Sequence, residues 1–263
     1  RDGEIDRLHI QGAAFEFDAG VMLDRIGVGP GWRCLDLGCG PAGIVELLSV
    51  RAGPAGRVVG LDADPVFLEH ARARARDRGL GNVEFVQADA YRTGLPRGSF
   101  DLVHVRFVAG TVGRPDDLLA EAMAVACPGG VVALQEPDIS TLKCYPPHPA
   151  WDCLTQVLEQ AFVCVGADVR LAQRLYQLAR HAGLQDVQYR PFLVGFRAGD
   201  PMAGYLPATV ESVRSTMIRH ALIDEGELDA VVAACRGHLA DPDTVFTSIT
   251  VAQVWGRRPR AAC

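Results

Sequence analysis

A glycine loop bounded by a carboxylate is the first stretch of this sequence that could do chemistry. Asp36-Leu37-Gly38-Cys39-Gly40-Pro41-Ala42-Gly43 lies between a short apolar run and a periodic one, and its glycines let backbone approach a ligand closely. The spacing of Gly38, Gly40 and Gly43 also suits a dinucleotide, whose pyrophosphate would sit on the next helix N-terminus while Asp62 held ribose hydroxyls. Asp36 separates the two readings. A carboxylate just ahead of the first glycine repels pyrophosphate, whereas it attracts a ligand that carries an ammonium and a sulfonium and no phosphate.

Further carboxylates close the next apolar runs. Asp62, followed by Ala63, ends Arg57–Asp62 and can accept both hydroxyls of a ribose. In Ala88-Asp89-Ala90 the acid can accept from an adenine amine, and small Ala90 leaves room for the ring. Val105-Arg106-Phe107 closes another run and is expected beneath the amino-acid end of the ligand. All of these stand at carboxyl ends of predicted strands, where open α/β sheets bind ligands. The ligand that fits is S-adenosylmethionine rather than NAD, and a nicotinamide dehydrogenase is the reading that Asp36 disfavours.

The elements that position these residues alternate. Arg33–Leu37, Arg57–Asp62, Val83–Ala88, Phe100–Val105 and Val131–Glu136 read as strands, with helices predicted over 44–51, 66–78 and 116–127 between them. Asp64-Pro65 opens the second of those helices, and its arginines Arg72, Arg74, Arg76 and Arg78 read as a solvated face. One amphipathic helix is predicted over 168–182, ended by Gly183, and two late strands over 187–196 and 245–255. This is the βαβ pattern of a parallel sheet. Segments 138–166 and 197–243 are too long for plain connections and are predicted to form a lid.

Composition narrows the partners. Twenty-six Lys and Arg against 32 Asp and Glu leave a net charge of −6, which offers no field to nucleic acid or anionic membrane. No apolar run approaches the roughly 20 residues of a spanning helix, and the opening residues lack a signal-peptide stretch, so the expectation is a cytoplasmic protein. The eight cysteines, Cys34, Cys39, Cys127, Cys144, Cys153, Cys164, Cys235 and Cys263, are scattered without a C-x-x-C pair, and they read as small core hydrophobes with no metal site. A thiophilic ion such as arsenite gathered by Cys144, Cys153 and Cys164 is the alternative.

At CLDLGCGPAG, VVGLDADP, VEFVQADAY, SFDLVHVRFV and PGGVVALQEPD the chain resembles the ordered motifs of class I S-adenosylmethionine-dependent methyltransferases. The resemblance spans about Gly31 to Asp138 and is finest to the branch of ubiquinone/menaquinone biosynthesis and bacterial natural-product methyltransferases. It implies an α/β, Rossmann-like, seven-stranded and mostly parallel sheet in the order 3-2-1-4-5-7-6, with helices on both faces and a helical lid inserted around strand 6. It implies a single domain over 1–263: a helical cover at 1–29, a cofactor core at 30–137, lid insertions at 138–166 and 197–243, and the rest of the core at 167–196 and 244–258. Carried over by position, Asp36, Gly38 and Gly40, with Cys39 between them, meet the methionine end. Asp62 and Ala63 meet the ribose, Asp89 and Ala90 the adenine, and Val105, Arg106 and Phe107 form the floor. Glu4–Gln11 resembles the leading helix of that branch, which would bring Gln11 and Phe15 onto the cofactor; an ordinary amphipathic surface helix is the alternative. Ala42 departs from the family's frequent glycine and could nudge the following helix away.

The activity implied is methyl transfer to a small organic acceptor, aromatic or polyketide-like, with S-adenosylhomocysteine as product. The alternatives are a cofactor-retaining relative that catalyses a non-methyl reaction such as cyclisation, and a non-catalytic binding subunit. Where the acceptor must lose a proton, Glu136, His148 and His220 are the candidate bases. Glu136 and Asp138 close the fifth strand, and a structural carboxylate is the competing role for Glu136. His104 on a buried strand reads as a hydrogen-bonded core histidine, and His181 as a solvated helix flank. Tyr145, Trp151, Phe162, Tyr205 and Met217 are the candidate lining of an apolar acceptor pocket, or simply the packing of the lid. The sequence admits a homodimer and does not require one.

Overall fold

A computed structural model describes residues 2–41, 43–111 and 113–260. Two helices, α1 (Asp2–Ala14) and α2 (Glu16–Ile26), lead into β1 (Arg33–Leu37), α3 (Val45–Ala52), β2 (Arg57–Asp62), α4 (Pro65–Asp77), β3 (Val83–Gln87), β4 (Phe100–Arg106), α5 (Pro115–Val125) and β5 (Ala126–Asp138). There follow β6 (Lys143–Tyr145), α6 (Pro149–Cys164), α7 (Leu175–His181), β7 (Gln185–Phe192), β8 (Gly195–Arg197), α8 (Tyr205–Ser212), α9 (Arg214–Arg219), α10 (Glu225–Leu239), β9 (Val245–Thr247) and β10 (Thr250–Arg257).

The main sheet runs β3-β2-β1-β4-β5-β10-β7, with the first five strands parallel and β10 antiparallel to both neighbours. Counting only its seven strands, this is the order 3-2-1-4-5-7-6. Alternation along each strand serves two layers. Leu35, Leu37, Val103 and Val105 face α5 and α7, while Cys34, Val58 and Leu102 face α2, α3 and α4. Asp64 caps α4 by accepting from the Val66 N–H at 2.8 Å, and Pro65 fills the first turn, whose N–H needs no partner.

The structure corrects three predicted elements. The single helix predicted over 168–182 is a 3-10 turn at Leu171–Gln173 followed by α7. Its start is pulled aside because the Asp168 N–H donates to the Gly110 carbonyl at 2.7 Å and its carboxylate accepts from Arg170 and Arg174. The strand predicted over 187–196 ends at Phe192 and resumes as β8, and the one predicted over 245–255 breaks into β9 and β10. Ser248 pins that break: its N–H donates to the Val194 carbonyl at 2.8 Å and its hydroxyl accepts from the Val194 N–H at 3.0 Å. The displaced pieces join β6 in a second, three-stranded sheet, β6-β9-β8, that sequence reading did not foresee.

The predicted lid segments fold as α6 and as α8, α9 and α10, joined by a separate apolar cluster that includes Trp151, Leu154, Leu158, Met217 and Val232. This cap sits over α1 through contacts of α1 with α8. Among the described residues no helix is long and apolar enough to cross a membrane.

Candidate functional site

A cavity of about 440 Å³ opens at the carboxyl ends of β1, β2, β3 and β4. Gln11, Asp36, Gly38, Cys39, Gly40, Asp62, Ala63, Asp89, Ala90, Arg106 and Phe107 line it, so residues spread over a hundred positions meet at one sheet edge. Leu8, Phe67, Tyr91, Val108 and Thr111 also line it, with Pro41, Gly43 and Leu61, and the first five were not among the predicted site residues. Tyr91 directly follows the third-strand motif and was legible there; Leu8 and Thr111 arrive only through the way α1 and the loop after β4 fold over. Two predicted contacts are corrected. Phe15 is buried behind the wall, edge-on to Phe107 with ring centres 5.7 Å apart, and Val105 points into the opposite core layer.

The loop conformation explains its residue types. Gly38 and Gly40 adopt φ of 77° and 54°, in the left-handed region that side chains resist. A Cβ on Gly43 would come within 2.3 Å of the Asp36 carboxylate and 2.5 Å of the Cys39 carbonyl. Asp36, only 2% exposed, accepts from the Ile44 N–H at 3.0 Å. Asp62 spans the loop, taking the Gly40 N–H at 2.8 Å on one oxygen and the Asp64 N–H at 2.9 Å on the other. Asp89, exposed at the rim, accepts from the Tyr91 N–H at 2.8 Å. Burial pushes the Cys39 thiol up, which keeps it a protonated wall group rather than a nucleophile. Burial also lowers the pKa of Arg106, against the opposing pull of Asp36 and Glu16. Phe107, beneath the cavity, holds φ of 59°, a strained value for a non-glycine residue. Ala42 and Cys263 lie outside the described residues.

None of the three candidate bases lines this cavity. Glu136 is fully buried, and its carboxylate accepts from the N–H groups of Val108, Ala109 and Gly110 at 3.1, 2.9 and 3.1 Å. Burial still pushes its pKa up to about 7, the three donors opposing the shift. Its place is that of a clamp on the loop after β4. Asp138 is likewise turned inward, onto Ser140 and Gln173. His148 caps α6, accepting from the Ala150 N–H at 3.2 Å, and stacks on His238 with ring centres 4.5 Å apart. His220 is exposed at the end of α9. Among the described residues no group of His, Cys, Asp and Glu is arranged to hold a metal; Cys144 is buried while Cys164 is exposed.

Residues 35–134 match the family model Methyltransf_11, a methyltransferase domain. A Streptomyces fradiae protein, named as an uncharacterized 37.1 kDa protein in transposon TN4556, is 33% identical over 220 residues, covering 78% of this chain and 62% of that protein. A demethylmenaquinone methyltransferase of Lactococcus lactis is 37% identical over 125 residues, covering 47% of this chain and 49% of that protein. The chain thus spans between about half and two thirds of the length of these curated relatives. Among solved structures, the YcgJ protein of Bacillus subtilis superimposes with a TM-score of 0.61 at 17% identity, covering 92% of this chain and 98% of that one. The 4+2 cyclase SpnF gives 0.55 at 18% identity, covering 92% and 80%. Both share the fold. Over residues 35–134 the chain is thus similar to a methyltransferase domain, on a fold shared with these solved structures.

Proposed function

We propose that this chain binds S-adenosylmethionine and passes its methyl group to a small organic acceptor, aromatic or polyketide-like, leaving S-adenosylhomocysteine. The observation that carries the reading is the charge pattern of the cavity. Asp36 and Arg106, of opposite sign and electrostatically coupled, both line the cavity, which suits a zwitterionic amino-acid tail, and Asp62 and Asp89 line it as well. Asp36 would hold the ammonium and Arg106 the carboxylate. Asp62 would accept from the ribose hydroxyls, and Asp89 from the adenine amine. No phosphate is accommodated beside three carboxylates without strong repulsion. When bound, the cofactor supplies a methyl group made electrophilic by its sulfonium.

The chain's own share of the chemistry is then positioning and exclusion of water. Beside the cofactor cavity, in the cap, lies a smaller apolar one of about 20 Å³ lined by Phe15, Trp151, Phe196, Tyr205 and Phe246, with Leu142 at its edge. Phe15 touches Phe107 of the cofactor wall, and the Tyr205 hydroxyl accepts from Gln11, so one layer of side chains separates the two. The Trp151 indole N–H is buried with no hydrogen-bond partner among the described residues. These features support an acceptor that is planar and apolar and carries an oxygen for Trp151. Closed, the cavity has room for about one water, so binding an acceptor there would require the cap to open.

The test is incubation with methyl-labelled S-adenosylmethionine and a panel of hydroxylated naphthalenes and quinones. Label in an acceptor, matched by S-adenosylhomocysteine, is the expected result. Rearrangement of a substrate with label retained on the cofactor would instead favour the cyclisation reading. Binding of NAD and not of S-adenosylmethionine in calorimetry would overturn the proposal.

A further inference from the structure

A continuous chain of buried polar groups crosses the sheet beneath the cofactor cavity, on the face covered by α2. His104 Nδ1 stands 2.7 Å from Asp36 Oδ1, and its Nε2 stands 2.8 Å from Gln135 Nε2. Gln253 Nε2 donates to Gln135 Oε1 at 2.9 Å and also to the Asp18 carbonyl. Arg190 closes the chain, donating to Gln253 Oε1 at 2.8 Å while ion-pairing with the Asp18 carboxylate on α2. Strand register builds this ladder: Asp36 is opposite His104, and Gln253 is opposite both Gln135 and Arg190. His104, Gln135 and Gln253 are fully buried.

The polarity of the ladder is determined by its ends. Arg190 can only donate, so Gln253 must turn its oxygen toward it and its amide toward Gln135. Gln135 in turn presents its amide to His104 Nε2, which must accept. A neutral imidazole that accepts at Nε2 carries its proton on Nδ1, and that proton points at Asp36. An apolar layer would fill the same volume with no polar group to desolvate, so the ladder is costly as plain packing.

We propose that His104 is a positioning residue: held by Gln135 in its Nδ1–H form, it donates to Asp36 and keeps that carboxylate aimed at the ammonium group of the cofactor. This rests on the proposal that Asp36 faces that ammonium. The ladder carries the orientation from Arg190 and α2, beyond the cavity, to a group that meets the ligand. His104 itself does not line the cavity. Its effect therefore reaches only ligands that have an amino-acid tail.

The test compares two ligands by calorimetry, S-adenosylhomocysteine and 5′-methylthioadenosine, which lacks the tail. His104→Leu is expected to weaken S-adenosylhomocysteine about tenfold or more, as loss of a hydrogen bond to a charged group would, and to leave methylthioadenosine unchanged. His104→Asn, whose amide reaches the place of Nδ1, is expected to restore most of the loss. Gln135→Met, which frees the imidazole to flip its proton, provides a second, milder route to the same selective loss should His104→Leu not fold. Equal weakening of both ligands, or none, would overturn the proposal and reduce the ladder to core packing. Failure of the wild-type protein to bind either ligand would instead strike the cofactor reading on which it rests.

Discussion

The sheet edge and the cap are built on opposite terms. At the edge, the acids are set by backbone: Asp36 accepts from the Ile44 N–H, Asp62 from the Gly40 and Asp64 N–H groups, and Asp89 from that of Tyr91. In the cap, the groups that look chemical are spent on the helices themselves. His148 caps α6, Asp224 caps α10 by accepting from the Glu227 N–H at 2.7 Å, and Met217 is core. A short strand-loop-helix segment needs particular residues to hold a ligand, whereas a helical cap needs only apolar stripes and good ends, and so carries little mark of what it covers.

Four measurements would break or sharpen that contrast. The largest effect is expected from Trp151→Ala, which empties the centre of the cap cluster and should cost about 3–5 kcal/mol in denaturant unfolding. S-adenosylhomocysteine affinity should hold once the protein is folded, and an equal loss of affinity would mean that cap and edge are one unit.

Glu136 tests the seam between them through pH. Its folded pKa of about 7 lies above the ordinary 4.5, so the protonated form is favoured in the folded state. The associated stability is fully present below pH 4.5 and is lost as pH rises through about 7. Wild type should therefore lose on the order of 3 kcal/mol across that window that Glu136→Gln does not lose, and parallel melting curves for the two proteins would refute it.

At the edge, Asp62→Ala should lower cofactor affinity by about 1–3 kcal/mol with a much smaller change in melting temperature. An unaltered dissociation constant would remove Asp62 from the site. The smallest effect is reserved for His148→Ala, about 1 kcal/mol of stability from the lost cap and no change in turnover. A collapse of turnover at constant stability would return His148 to the candidate bases.

The same contrast explains what could be read in advance. The glycine loop and the strand-end acids were legible because each needs a residue type at a place where few others fit, whereas the strand order of the main sheet came only from the family resemblance. Glu136 misled because its position, at the end of the fifth strand, is where an acceptor would be met. Only the burial of its side chain against three N–H groups reveals the clamp. The small sheet β6-β9-β8 escaped because its strands are three residues each and pair across the whole second half of the chain, and so leave no local period.

By itself, the sequence determined the periodicity of the strands and helices and the acid-and-glycine chemistry of the edge, because both are properties of neighbouring residues. Tertiary structure alone decided that Phe15 and Val105 stand behind the cavity, that Tyr205 and Gln11 join cap to edge, and that His104, Gln135, Gln253 and Arg190 form one directed chain under Asp36. These relations depend on register between strands far apart in sequence, and register is settled by packing the whole sheet at once.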